Sequence, residues 1–328
     1  MDNNRQFGEA QTSSSKIRSG KRNKASQKGA SVFYWTMFAL PLLQFVIFYI
    51  VVNINSILLA FQQIVPQKID GVTHYVSSFV GLETIKKFLT VELVSESYRI
   101  AIRNSLVYFV FSIAVIIPCG LIFSYYIYKK YPLAETFRTF LFLPSIICVL
   151  ILVIFYQYLV DFSIPELIQK ITGKRPRGFL TNSDTAFVTL VVFNFFFSFG
   201  PSTLVYLNAM TQIDPSVVEA AELDGAVGLK QFGLVVLPLV FPSITSYIII
   251  SIAHVAVNQL AGHSFFNTSA GDYKVQTIGY NLFVKVLGSQ PELNYPTAAA
   301  GGIFFTLIIA PVTLFARWIF EKFGPSED

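Results

Sequence analysis

The sequence predicts an all-α polytopic membrane protein with about six transmembrane helices. Three observations lead to this fold class. Of the 328 residues, 53% are hydrophobic. Only 13% are charged, whereas an ordinary soluble domain has about 25%. Aromatic residues are abundant, with 33 Phe and 16 Tyr, as is typical of helices that face lipid and membrane interfaces. This composition excludes a soluble globular domain.

The amino-terminal region is the one strongly basic part of the chain. Residues 1–31 contain seven Lys or Arg and two acidic residues, so they are predicted to form a disordered basic tail. The apolar run Val32–Val52 follows, and at about 1.5 Å per residue it is long enough for a membrane core of about 30 Å. Positive charge before the first span favours the cytoplasmic side. We therefore expect a cytoplasmic N-terminus and an uncleaved signal-anchor span over 32–60.

Six apolar stretches are predicted to span the membrane: 32–60, 103–128, 137–160, 186–209, 234–257 and 299–320. Spans alternate in direction, so the loops 129–136 and 210–233 and the tail 323–328 are predicted to be cytoplasmic. The predicted extracytoplasmic loops are 61–102, 161–185 and 258–298. We expect 103–322 to form the transmembrane core and 83–100 to form an amphipathic helix on the outer face.

The polar segment after the fourth span carries strong helix signals. Asp214 is a good N-cap, and Pro215 suits the first helical position because its missing N–H has no partner there in any case. Gly225 is expected to end the helix, since glycine readily adopts the left-handed conformation of a helix C-terminus. Pro238 and Pro242 are expected to bend the fifth span.

One face of this predicted helix is suited to a partner protein. Helical spacing places Val217, Ala220, Ala221 and Asp224 together. Small side chains there would allow close approach to a groove, and Glu219 and Glu222 would offer carboxylates to basic groups. This pattern is typical of helix-in-groove recognition. The alternative is a solvated loop that only connects two spans.

The sequence Glu219-Ala220-Ala221, followed by Gly225 and then Leu237-Pro238, resembles the EAA loop of permease subunits in bacterial ATP-binding-cassette (ABC) importers. Shorter stretches are similar to carbohydrate permeases of the maltose-transport type, and together they cover most of residues 75–320. These stretches are Phe79–Glu83, Arg103–Leu106, Phe137–Pro144, Tyr206–Pro215 and Tyr295–Ala300.

The resemblance implies a binding-protein-dependent permease of the bacterial inner membrane, the first of two paired permeases. It implies that the chain moves an oligosaccharide or sugar derivative by alternating access. The implied partners are a cytoplasmic ABC ATPase dimer, a second permease subunit and an extracytoplasmic solute-binding protein. The implied ATPase-coupling residues are Asp214, Pro215, Glu219, Ala220, Ala221, Asp224, Gly225 and Ala226.

The chain is not expected to be an enzyme. No Gly-x-x-x-x-Gly-Lys-Ser/Thr pattern occurs in it, so ATP and Mg²⁺ are expected to bind the partner ATPase. The three His are scattered, and neither a catalytic site, a metal site, a cofactor of this chain nor a nucleic-acid partner is expected.

Polar side chains recur at helical spacing on two spans. Polar groups at membrane depth usually face protein or water-filled space. We therefore predict a path for a neutral sugar, near the aromatic side chains of Phe195, Phe197 and Phe199. Hydrogen bonds that only join helices are the alternative interpretation. The path residues are Asn194 and Ser198 on the fourth span and Tyr247, Ser251, His254 and Asn258 on the fifth.

Two other functions stay open from the sequence. An ion-coupled secondary transporter would favour acidic or basic residues deep within spans, and none is convincingly central. A non-transporting membrane scaffold would make the EAA spacing a coincidence. Co-purification of an ATPase would separate the importer from both alternatives.

Overall fold

The computed structural model describes residues 24–69, 72–270, 272, 274–287 and 291–325. Over these ranges the chain is mainly helical. Five helices are long and apolar enough to cross a membrane, and one bent helix pair supplies a sixth candidate. The predicted fold class, all-α with about six spans, is therefore confirmed. Of the predicted tails 1–31 and 323–328, residues 1–23 and 326–328 lie outside the described residues.

The first span is one continuous run of helix, and all but its last residues belong to a compact unit that ends at Ser56. It consists of α1 (Lys24–Phe45), a π-helical segment and α2 (Val52–Leu59). Residues 24–31, which were predicted to be part of the disordered tail, are helical because the apolar span continues directly from them. The side chains of Asn53 and Ser56 bond carbonyls one turn back in the same helix.

A β-hairpin follows the first span, where the sequence predicted only a loop. Strand β1 (Gln62–Ile69) pairs antiparallel with β2 (Val72–Phe79), with Gln62 opposite Phe79. Helix α3 (Glu83–Lys87) follows and continues as a π-helical segment to Glu92. The predicted amphipathic helix over 83–100 is therefore wrong beyond Glu92, because the chain turns before Ser95 and then starts the second span.

The second span starts earlier than predicted. It comprises α4 (Glu96–Phe111), a π-helical segment (Ser112–Ile116) and α5 (Ile117–Tyr128). The Ser95 hydroxyl caps its first turn by accepting from the backbone N–H of Tyr98.

The predicted third span over 137–160 is wrong. The chain is extended at Ile147 and Cys148, with ψ angles of 140° and 132°, and this break separates α6 (Ala134–Ile146) from α7 (Val149–Tyr158). Pro144 lacks an N–H and weakens the last turn before the break. The helix that is long enough to span runs over Val149–Thr172, and its last part is α8 (Ile164–Thr172).

The remaining elements follow in sequence. Helix α9 (Ala186–Thr211) is the fourth span and α10 (Pro215–Leu223) is the polar helix. The fifth span contains α11 (Leu229–Gln231), a π-helical segment (Phe232–Val236), α12 (Leu237–Leu239) and α13 (Phe241–His254).

The fifth span bends by 69° between Leu229–Leu239 and Phe241–His254, and Pro238 and Pro242 flank the bend as predicted. The chain ends with α14 (Gly262–Phe266), α15 (Ile278–Leu287) and α16 (Pro291–Phe323).

Close packing holds the second unit together. A buried cluster of Leu121, Tyr125, Tyr206, Met210 and Val240 connects the second, fourth and fifth spans. The Ser124 hydroxyl lies 2.6 Å from the Thr203 carbonyl oxygen across the second and fourth spans.

A second set of buried polar contacts ties the second span to a distant part of the chain. The amide of Asn104 is fully buried and donates to the carbonyl oxygens of Lys274 and Gln276, at 2.9 and 3.0 Å. The Ser105 hydroxyl accepts from the backbone N–H of Ile278. These bonds fix the segment before α15 against the second span.

Candidate functional site

The polar helix α10 has well-defined ends. The carboxylate of Asp214 accepts from the backbone N–H of Ser216 at 2.9 Å, and this bond keeps the pKa of the Asp214 carboxyl below its usual range. Pro215 occupies the first helical position. At the other end Gly225 has a φ of +77°, while the N–H groups of Gly225 and Ala226 bond the carbonyls of Glu222 and Ala221. This is a Schellman C-terminus, which requires a left-handed residue at Gly225.

Most of the predicted partner-contact residues are accessible. Val217, Glu219, Ala220 and Asp224 are exposed and Ala221 is half-buried. Ala226, by contrast, is buried, as is Val218 on the opposite side of the helix. Ala226 therefore does not present its side chain to a partner, because the C-terminal turn folds it against its own chain.

Three large apolar side chains extend this surface, and the sequence prediction missed them. Leu223 is 89% exposed, Val227 62% and Leu229 77%. Single exposed apolar side chains are ordinary, but several of them close together in a polar segment indicate a protein contact. We call the exposed residues Val217, Glu219, Ala220, Leu223, Val227 and Leu229 the docking surface.

Polar contacts fasten α10 to the rest of the chain. The Lys129 ammonium lies 2.7 Å from Glu222 Oε1, and the buried amide of Gln231 donates to the Val218 carbonyl at 3.2 Å. Hydrogen bonds from Lys129 and Gln231 keep the pKa of the Glu222 carboxyl below its usual range. Glu222 was predicted to offer its carboxylate to a partner, but it is already paired within its own chain.

A second candidate site is a cavity of about 350 Å³ among the second, fourth and fifth spans. Five of the six residues predicted for the sugar path lie on its wall: Ser198, Tyr247, Ser251, His254 and Asn258. Asn194 does not. Its amide donates to the carbonyls of Leu190 and Leu260, both at 2.9 Å, so Asn194 joins its own helix to the chain that follows the fifth span.

The cavity wall also includes residues that the sequence prediction missed. Ser105, Tyr108, Ser112, Tyr206 and Thr277 add hydroxyl groups to it. Tyr108 and Tyr206 lie in apolar runs, where no polar residues at helical spacing accompany them to indicate a cavity-facing side. Of the three phenylalanines predicted nearby, only Phe197 lies on the wall, while Phe195 and Phe199 stack on each other with ring centroids 5.3 Å apart.

The cavity wall combines hydroxyl groups with aromatic rings. Tyr108, Ser198 and Asn258 all lie on this wall. The buried Tyr206 hydroxyl has no hydrogen-bond partner among the described residues. Its ring lies beside that of Tyr247, with centroids 5.0 Å apart. The described lining residues include no Asp, Glu, Lys or Arg. Hydroxyls and aromatic rings of this kind are suited to a polyhydroxylated solute.

The described residues contain no group of three or more His, Cys, Asp or Glu side chains that could hold a metal ion.

Known proteins resemble this chain over most of its length. The arabinooligosaccharides transport system permease protein AraP of Bacillus subtilis is 25% identical over 303 residues, which cover 90% of each chain. The probable starch degradation products transport system permease protein AmyD of Thermoanaerobacterium thermosulfurigenes is 24% identical over 295 residues, covering 89% of this chain and 94% of the relative.

A chain in the crystal structure of a bacterial ABC transporter involved in alginate import has a similar fold. The TM-score is 0.72 at 19% identity, and the match covers 91% of this chain and 98% of that one. Residues 116–325 match the family model described as "binding-protein-dependent transport system inner membrane component". This match covers more than half of the sequence, and the chain belongs to that family.

Proposed function

We propose that this chain is the membrane-spanning permease subunit of an ATP-driven importer for a carbohydrate, and that it moves its solute by alternating access. The observation that carries the proposal is the docking surface on α10, an exposed and firmly fastened helix in a member of a transport family. The relatives named above are transport permeases for arabinooligosaccharides and starch degradation products, which supports a carbohydrate.

A separate ATPase dimer binds ATP and Mg²⁺ and drives the cycle. We propose that α10 inserts into a groove of that ATPase in the manner of a helix in a groove. Leu223 and Leu229 supply apolar contact, Ala220 allows close approach, and Glu219 faces basic groups of the partner. Closure of the ATPase dimer would then displace α10 and the spans to which it is fastened.

The proposal also gives the chain an orientation in the membrane and further partner proteins. The 210–233 loop and the N-terminus lie in the cytoplasm, and the chain resides in the bacterial inner membrane. A second permease subunit completes the pathway as a heterodimer. A solute-binding protein delivers the carbohydrate to the opposite end, where the β-hairpin lies. The hypothesis is supported by the basic amino-terminal region, whose positive charge favours the cytoplasmic side.

We further propose that the cavity holds the carbohydrate during transport. Its volume falls within the range of about 300–1,000 Å³ that is typical of small-molecule sites. Ser198, Ser251 and Tyr247 would exchange hydrogen bonds with sugar hydroxyls.

The docking hypothesis is tested by changing the exposed apolar side chains. The complex would be purified with its co-expressed ATPase, and ATPase recovery would be measured for Leu223→Asp and Leu229→Asp. We expect both variants to lose most of the ATPase. Leu82→Asp is the matched control, because Leu82 is also a strongly exposed leucine but lies after the β-hairpin. Full ATPase recovery with both α10 variants would contradict the proposal.

The cavity hypothesis is tested on two serines of one helix. Ser251 lies on the cavity wall, whereas Ser246 is exposed elsewhere on α13 and is absent from the wall. Uptake of labelled arabinooligosaccharides and maltodextrins into proteoliposomes would be compared for Ser251→Ala and Ser246→Ala. Loss of one hydrogen bond of about 0.5–1.5 kcal/mol predicts a decrease in uptake efficiency of roughly 2- to 13-fold for Ser251→Ala alone. Equal uptake by the two variants would contradict a role for this wall.

A further inference from the structure

We propose that Gln231 is a positioning residue that transmits displacement of α10 to the second span, and through that span to the cavity wall. The inference rests on the proposed function, since it concerns how the docking surface and the cavity are coupled. It assigns a role to a residue that lies on neither site. Gln231 is fully buried, although it is a polar residue at the start of the fifth span, in α11.

The first step is the contact between Gln231 and α10. Its Nε2 lies 3.2 Å from the carbonyl oxygen of Val218 and 3.4 Å from Glu222 Oε1. Val218 lies in the middle of α10 on its buried side, and Glu222 lies one turn later. One side-chain amide therefore bonds both the backbone and a side chain of the helix that carries the docking surface.

The second step is the contact between Gln231 and the second span. The hydroxyl of Tyr125, in α5, donates to Gln231 Oε1 at 3.1 Å and also lies 2.9 Å from the carbonyl oxygen of Gly228. The Tyr125 ring packs on Phe232, with centroids 4.9 Å apart. The two ends of the Gln231 amide thus face different elements, α10 on the nitrogen side and α5 on the oxygen side.

The third step leads from Tyr125 to the cavity. The second span continues from Tyr125 toward Ile117, Ser112 and Tyr108, all of which lie on the cavity wall. If the second span moves together with α10 as a rigid element, it would move this wall whenever the ATPase displaces the docking surface. Such a bonded chain is a physical route for coupling, in which both sites act on one element.

A second link, the ion pair of Lys129 with Glu222, also joins the second span to α10. This pair is partly exposed, and exposed ion pairs contribute little. The Gln231 amide is buried, so its removal takes away bonds to the Val218 carbonyl and the Tyr125 hydroxyl that water cannot readily replace, although Tyr125 keeps the Gly228 carbonyl as a partner. We therefore assign the main link to Gln231.

The test measures transmission without requiring a known solute. In the assembled complex, Cys119 and Cys148 are replaced by Ala, and Ser112→Cys places one thiol on the cavity wall. The rate of maleimide labelling is compared without nucleotide and with ATP plus vanadate, which holds the ATPase closed. We expect closure to change the labelling rate in this parent. In Gln231→Met, which keeps side-chain length but has no polar group, we expect the change to shrink by about fivefold or more, a typical size for coupling between sites.

Two further variants separate transmission from simple loss of structure. Tyr125→Phe keeps the ring on Phe232 but removes the bond to Gln231, so it should reduce the response as Gln231→Met does. The double variant should be no worse than either single one, because both remove the same link. Gln212→Met is the matched control, since Gln212 is an exposed glutamine at the end of α9, and it should keep the full response.

Each outcome has a defined meaning. If assembled Gln231→Met and Tyr125→Phe complexes respond to ATP plus vanadate like the parent, the inference is overturned while the proposed function stands. The same holds if these variants only lower the yield of complex. If the parent itself shows no nucleotide response, the proposed function fails and the inference fails with it.

Discussion

Lys129 and Glu222 form an ion pair that joins the end of the second span to the helix of the docking surface, with 2.7 Å between the ammonium nitrogen and the carboxylate oxygen. The Gln231 amide lies 3.4 Å from the same oxygen. The carboxylate of Glu222 is thus occupied on its own chain, which leaves Glu219 and Asp224 as the exposed acidic residues of the predicted contact face.

This relationship predicts that the attachment of α10 weakens in acid. Hydrogen bonds from Lys129 and Gln231 lower the pKa of Glu222 in the folded protein. The stabilisation is therefore present above the unfolded pKa, about 4.3, and is lost as the pH falls through the lower folded value. Hydrogen exchange of the α10 amides should rise over that acid range. Glu222→Gln should abolish this pH response, and an unchanged response in that variant would contradict the assignment.

Gly225→Val is expected to disrupt the docking surface. The backbone at Gly225 has a φ of +77°, and holding a β-branched residue there costs about 1–3 kcal/mol. The C-terminal turn of α10 should shift, and ATPase recovery with the purified complex should fall. Gly225→Asn is the control, because asparagine tolerates the left-handed region and should retain most of the ATPase. If both variants lose the ATPase equally, the cause would be the presence of a side chain at position 225 rather than strain in the left-handed backbone.

Cysteine labelling should place the 210–233 loop on the cytoplasmic side. Single cysteines would replace Ser183, Ser216 and Thr268, all of which are exposed. A membrane-impermeant maleimide added outside intact cells should label positions 183 and 268 and leave 216 unlabelled until the membrane is opened. Labelling of position 216 from outside alone would overturn both the topology and the ATPase contact.

Gly279→Ala should destabilise the protein, whereas Gly302→Ala should not. A Cβ at Gly279 would collide with the carbonyl group of Val257, while one at Gly302 would meet no atom within 4 Å. Forcing an atom into a packed site costs about 1–3 kcal/mol. Thermal unfolding of the detergent-purified protein should therefore show a lower Tm for Gly279→Ala only. A similar Tm for both variants would contradict the prediction, because it would show that the backbone near Val257 shifts at little cost to accommodate the added Cβ.

Much of the fold follows from local sequence. Long apolar runs identify spans because a membrane demands length and hydrophobicity. The ends of α10 were predictable because Asp214, Pro215 and Gly225 act within a few residues of their own positions. The bend near Val240 was predictable for the same reason, since prolines flank it. The break at Ile147 and Cys148 was not, because two apolar residues within an apolar run carry no signal for extended backbone.

The candidate sites were predictable only in part. Helical spacing shows which residues share a face but does not show which neighbour that face meets. Ser251 lies on the cavity wall, while Asn194 bonds carbonyls in the protein interior. Asn258 also lies on the wall, but it follows the end of α13 and is not placed there by helical spacing. The role of Gln231 was hidden for another reason. Its partners Val218 and Tyr125 lie 13 and 106 residues away, and only the folded chain brings them together.

Asn104 has a consequence for how the protein is made. Its amide bonds the carbonyl of Lys274, which lies 170 residues later in the chain. A ribosome that adds about 5–20 residues per second needs roughly 8 to 34 seconds to reach that point. During this interval the Asn104 amide lacks the two carbonyl partners that it has in the finished protein. This buried contact therefore forms only after most of the chain has been synthesised.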